Sequence, residues 1–185
     1  MNSQPCWQQK LQTDLKNRKK TDRPVRLAIL GVGQELYGDD AVGVRLAECL
    51  REALAGEVNF LAVPGGPAPE NFTGTLRRFG PDLVLLVDAA LMDLQPGQTG
   101  WLDWQDTTGF SASTHTLPLH LVAGYLTSEL ECKVDLLGIQ PENCQVGEPL
   151  SPAVQSAANA IIKSICELVE EIKNDQPMFT HNSKS

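Results

Sequence analysis

Residues Val25 to Leu54 read VRLAILGVGQELYGDDAVGVRLAECLREAL, and the fold follows from how this stretch changes character along its length. Leu27, Ala28, Ile29 and Leu30 form a short uncharged run closed by Gly31 and Gly33, the pattern of a parallel strand covered on both faces. From about Asp39 the spacing becomes helical, with Val42, Leu46, Cys49 or Leu50, and Ala53 along one side. Between strand and helix lies a turn rich in glycine and carboxylate, Gly31 to Asp40. In an open α/β sheet such a turn sits at the carboxyl end of the strand, where ligands bind.

The same alternation continues outward. Glu57–Val63 reads as a second strand ended by Pro64-Gly65-Gly66-Pro67, and Phe72, Leu76 and Phe79 mark a short helix over 69–79. Leu83–Val87 is a fully apolar strand closed by Asp88, and Gly97–Trp104 alternates as a further strand. A helix over 117–130 is expected to bury Leu119, Val122, Leu126 and Leu130, with Thr114 or Thr116 as its cap, and Lys133–Ile139 is the next strand. Ser151 and Pro152 suit the cap and first position of a last helix, whose apolar residues run from Val154 to Ile172. The prediction is an α/β fold: a mostly parallel, five-stranded twisted sheet with helices on both faces. Residues 25–173 form its single domain, preceded by a polar extension (1–24) with a short helix over 6–15 and followed by a polar tail (174–185).

A chain of 185 residues with 42% apolar content holds a real core. Its net charge of −8 disfavours nucleic acid and anionic membranes as partners. No apolar run approaches the ~18 residues of a membrane span, and the first residues lack the apolar segment of a secretory leader. The five cysteines are scattered without a CxxC pair, as expected of a reducing cytoplasm, and Cys49 and Cys166 read as small core residues.

Asp39, Asp40, Asp88 and His115 all fall at strand ends or helix entrances, positions that gather at one edge of such a sheet. Carboxylates with one imidazole suit a divalent transition metal. Taken singly, Asp39 or Asp40 reads as a helix cap, Asp88 as a turn residue and His115 as an ordinary polar loop residue. His120 and His181 fall in the helix and the tail. Gly31-x-Gly33 opens like a dinucleotide fingerprint, but Leu36 stands where the third glycine belongs and the aspartates would repel a pyrophosphate.

The segments GVGQELYGDDAVGVRLAE (31–48), PGGPAPEN (64–71), LLVDAA (85–90), STHTLPL (113–119), LLGIQPE (136–142) and PLSPAV (149–154) together resemble the hydrogenase maturation endopeptidases. The branch acting on formate-hydrogenlyase (hydrogenase 3) large subunits is the most similar. The resemblance implies removal of a C-terminal extension from the nickel–iron hydrogenase large-subunit precursor after nickel insertion. It maps nickel recognition onto Asp40, Asp88 and His115. For activation of the attacking water, Asp40 is the candidate catalytic base, and polarisation of the carbonyl and of water by the metal is the alternative. By position, Gly65 and Gly66 belong to the substrate-gripping surface. The nickel is expected to arrive with the substrate, with no tightly bound metal of the protein's own, and the protein to act as a cytoplasmic monomer. Two departures stand out: Gln34 replaces the family's usual asparagine, and Pro64 replaces an acidic residue. They keep alive a non-catalytic nickel-dependent checkpoint or scaffold for the large subunit, beside the dinucleotide-binding module. Neither Ser113 near His115 nor Cys144 completes a recognisable nucleophilic triad.

Overall fold

Strand β1 (Leu27–Val32) forms the spine of the protein, flanked on both sides by parallel neighbours. The computed structural model describes residues 6–18, 23–105 and 119–174. Within them β1 is joined by β2 (Phe60–Gly66), β3 (Leu83–Ala89), β4 (Thr99–Leu102) and β5 (Lys133–Ile139), in the order β2-β1-β3-β5-β4. Every pairing is parallel except β4 with β5. This is the expected five-stranded α/β sheet.

Because β1 and β3 are covered on both faces, all their residues are buried, and the strand alternation decides which layer each side chain meets. Leu27, Ile29, Leu83, Leu85 and Val87 face a layer made by α1 (Trp7–Asn17), α2 (Val42–Ala53) and α5 (Pro152–Asn174). Ala28, Leu30, Val84, Leu86, Val134 and Leu136 face the opposite layer, α3 (Thr73–Phe79) and α4 (Leu119–Leu130). From β1 the chain crosses by α2 to β2 on one side, and later returns to place β3 on the other. The carboxyl ends of β1 and β3 therefore border a topological switch point, the crevice where ligands of such sheets bind.

Several expectations are refined. The short helix foreseen within the extension is α1, and it buries Leu11 and Leu15 in the same core as α2 and α5. At about 2 kcal/mol for each fully buried leucine, that contribution is substantial. The bond from Gln12 to Glu171 and the Lys133–Asp14 ion pair tie α1 to α5 and β5. Strand β2 does not stop at Pro64 but runs through Gly66. It is an edge strand, where a proline's missing N–H is tolerated. In α4 the buried residues are Val122, Ala123 and Leu126, with Leu119 and Leu130 partly covered. Thr114 and Thr116, its expected caps, lie outside the described residues. Cys49 is exposed, contrary to the core assignment: it falls beside the α2 stripe, and Leu50 takes the buried position. Cys166 packs partly buried against the core. At α5, Ser151 caps as foreseen, its Oγ accepting from Val154 N–H at 3.4 Å.

Candidate active site

Three glycines set how closely the backbones meet at the switch point. A Cβ on Gly31 would lie 2.0 Å from the carbonyl oxygen of Gly43, and one on Gly43 would lie 2.2 Å from that of Val87. The start of α2 thus rests directly on the backbones of β1 and β3. Gly33 has φ +129°, and a Cβ there would lie 1.7 Å from the Asp40 carbonyl oxygen and 3.7 Å from Asp88 Oδ1. Only glycine allows this approach, which folds the turn back so that Asp40 and Asp88 share one crevice. A 3-10 turn, Gly38–Ala41, delivers Asp39 and Asp40 at its centre.

The two aspartates divide the work. Asp39 is fully buried, and four donors converge on its carboxylate. Oδ2 accepts from Glu142 N–H (2.8 Å), Asn143 N–H (3.0 Å) and the Ser151 hydroxyl (2.9 Å), and Oδ1 from Ser151 N–H (2.6 Å). Its own N–H donates to the Asn143 carbonyl at 2.8 Å. The helix-cap expectation for Asp39 is therefore corrected: rather than capping α2, it fastens the loop between β5 and α5 across the crevice. A side chain so satisfied has no lone pairs to spare for chemistry.

Asp40 is left with capacity. Its Oδ2 accepts from Gln34 N–H at 2.9 Å, while Oδ1 is buried without a hydrogen-bond partner. Burial raises its pKa above the ordinary value, and the Gln34 N–H opposes that rise. It does not cap α2 either; the contact is with the preceding turn. Because that contact is made by the backbone, glutamine in place of the family's asparagine leaves it intact.

Asp88 lies within β3, at its end, with 4% of its surface exposed. Burial, then the nearby charge of Asp40, push its carboxyl up to about 8, against the Ala89 N–H. At neutral pH the pair therefore holds at least one proton. Gly65 and Gly66 border the same turn: Gly33 N–H donates to the Gly66 carbonyl at 3.2 Å, and Gly66 (φ +62°) has open space where a Cβ would stand.

His115 and Ser113 lie outside the described residues, and among those described no three His, Cys, Asp or Glu side chains form a metal-holding group. Cys144, set aside as a nucleophile in the sequence, proves to be a neighbour of both aspartates. Burial and the charges of Asp40, Asp39 and Asp88 push its thiol up to about 11, so it is no thiolate nucleophile near neutral pH. Its position was hidden because it depends on the Asp39 bonds that fold residues 142–151 over the crevice.

The site is thus a buried carboxylate with a free oxygen, beside a protonatable second one, at the switch point of a mostly parallel α/β sheet. Residues 44–168 match the hydrogenase maturation protease (HycI) family. A putative hydrogenase maturation protease of Methanocaldococcus jannaschii is 33% identical over 86% of this chain and 94% of its own length. The hydrogenase 3 maturation protease of Escherichia coli is 33% identical over 74% of this chain and 86% of its own. Among solved structures, the HycI hydrogenase maturation protease of Thermococcus kodakarensis superposes with a TM-score of 0.72, at 32% identity over 84% of this chain and 99% of that one. The chain belongs to the hydrogenase maturation protease family, and it is an endopeptidase.

Proposed function

We propose that this endopeptidase removes the C-terminal extension of a nickel–iron hydrogenase large-subunit precursor, and that it does so only after the precursor carries nickel. The observation that carries the reading is the buried, unpartnered Oδ1 of Asp40 beside Asp88. Two desolvated carboxylates are costly together, and a divalent cation meeting both relieves that cost. The nickel belongs to the substrate, where cysteine thiolates hold it; Asp40, Asp88 and His115 supply oxygen and imidazole donors to complete its surroundings. Docking on the metal sets the scissile peptide against the protease, so much of the rate comes from position. A precursor without nickel lacks this contact and stays uncut.

Asp40 is the group we assign as general base. Its carboxylate is more basic than an exposed one because of burial, which suits proton removal from the attacking water. Gln34 N–H holds one oxygen in place and leaves the other to accept that proton. At the Gly65–Gly66 corner, Gly65 packs against Leu30 and the Gly31 carbonyl, and the open space at Gly66 offers room for an extended substrate segment. We further propose that the protein acts as a cytoplasmic monomer without nucleic acid or membrane; among the described residues no helix is long and apolar enough to cross one.

The test is incubation of the purified protein with nickel-loaded and nickel-free precursor, followed by intact mass, with the Asp40→Asn and His115→Ala variants in parallel. Loss of a C-terminal peptide is expected only with nickel and only with the unaltered protein. Nickel-dependent binding without a mass change would instead identify a checkpoint.

A further inference from the structure

Apolar side chains standing in water are concentrated around the crevice. Of the eight large hydrophobic residues exposed among the described ones, five lie on the three loops that follow β1, β3 and β5. Leu36 (71% exposed) and Tyr37 follow β1, Leu91 (53%) and Leu94 follow β3, and Val146 (66%) follows β5. These three strands are adjacent in the sheet, so their loops form one continuous edge.

The loops are held firmly. Asp39 anchors residues 142–151 through the bonds described above, and Gly147 N–H donates to the Leu36 carbonyl at 2.8 Å, joining the first loop to the third. The buried Gln140 accepts at Oε1 from Met92 N–H (2.7 Å) and Leu94 N–H (3.3 Å), fixing the second. Two buried polar side chains thus hold five apolar ones in water, an arrangement that costs solvation and gains nothing for the isolated fold. It is what a preorganised binding surface requires.

Charge on the same loops is one-sided. Segments 33–41, 90–98 and 140–151 contain no lysine or arginine, while Glu35, Asp93, Glu142 and Glu148 stand exposed between the apolar residues.

We propose that Leu36, Tyr37, Leu91, Leu94 and Val146 are the surface on which the hydrogenase precursor seats, through a face with an apolar centre and a lysine- or arginine-rich rim. The inference rests on the function proposed above and names the part of that partner it takes. A macromolecule that brings a metal to Asp40 and Asp88 meets these loops, because they follow the same adjacent strand ends that carry the two aspartates. Apolar contact then supplies residence and the acidic rim supplies orientation.

The experiment is steady-state cleavage of nickel-loaded precursor by Leu36→Ser, Val146→Ser and Glu35→Lys/Glu148→Lys variants, with Val58→Ser, exposed outside these loops, as control. Each apolar truncation is expected to raise KM about tenfold with kcat within about twofold, since a leucine or valine loses its burial against the partner. The charge-reversed double variant raises KM further at low salt, and that difference shrinks as ionic strength grows. Melting temperatures stay at the wild-type value, separating lost docking from lost fold. Unchanged KM in the serine variants, or a fall in kcat alone, overturns the surface while leaving the nickel-gated protease intact. Wild-type protein that neither binds nor cuts the loaded precursor overturns both.

Discussion

Replacing Asp88 by asparagine should make the protein more stable at alkaline pH while abolishing cleavage. The carboxyl of Asp88 titrates at about 8 in the fold against an ordinary value of 3.8. Below pH 4 both folded and unfolded chains hold the proton, so the group contributes no pH dependence. Between pH 4 and 8 the unfolded chain releases it and the folded chain keeps it, so stability falls as pH rises, by 2.303RT (about 1.36 kcal/mol) per pH unit. Above 8 both are ionised and the loss is complete. Four pH units set a ceiling of ~5 kcal/mol, and relaxation around the buried charge brings the expected loss nearer ~3 kcal/mol. In a protein of this size that is roughly 6–12 °C of melting temperature. Asparagine has the same shape and remains neutral throughout, and its amide oxygen preserves an acceptor for the Ala89 N–H. The assay is thermal unfolding followed by circular dichroism from pH 5 to 9. The wild-type minus variant difference isolates Asp88 from Asp135, whose carboxyl, pushed up to about 6 by burial, is common to both chains. Parallel melting curves across that range would refute the reasoning, because they would mean that Asp88 does not carry a buried proton.

Two further substitutions probe the backbone of the site. Gly33→Ala should cost at least about 2 kcal/mol in urea unfolding and remove cleavage, because its Cβ collides with the Asp40 carbonyl at a φ that disfavours side chains. A loss below about 0.5 kcal/mol would show that the turn has slack. Asp39→Asn places an amide NH2 among donors that previously met a carboxylate, so a cost of about 3 kcal/mol is expected. Faster hydrogen exchange over residues 142–151 should accompany it, and unchanged exchange there would sink the anchoring role.

The sheet was legible because its residues obey local rules. Uncharged runs such as Leu83–Val87 have no solution but a doubly covered strand, and the Ser151-Pro152 entrance of α5 is written in side-chain chemistry. Asp40 and Asp88 were legible because strand ends in this topology converge. What escaped depends on contacts between distant segments. The bonds from Glu142, Asn143 and Ser151 to Asp39 span more than 100 residues, so local propensity suggested a helix cap that tertiary structure overrode. Cys144 reached the crevice by the same fold-back. Pro64 looked like a strand terminator because its tolerance depends on β2 being an edge, which is a matter of strand order. Cys49 missed the core by one helical position, a distinction the apolar stripe left open between it and Leu50.

The interlocked glycines at positions 31 and 43 bear on timing as well as shape. At Gly43 no side chain separates the start of α2 from the backbones of β1 and β3, so that end of the helix has no soft interface to slide on, and displacing it means disturbing the centre of the sheet. Amide protons of Val44 to Leu50 should therefore exchange only with global unfolding, among the slowest in the molecule. Asp40 sits in the 3-10 turn that leads directly into that helix. An acid mounted there keeps its place over the microsecond-to-millisecond range in which loops and lids usually move. On the proposed function, selection then falls to the substrate: the precursor must present its metal and its peptide in register with a fixed gauge, and one that is immature or mis-set finds no yielding surface to accommodate it.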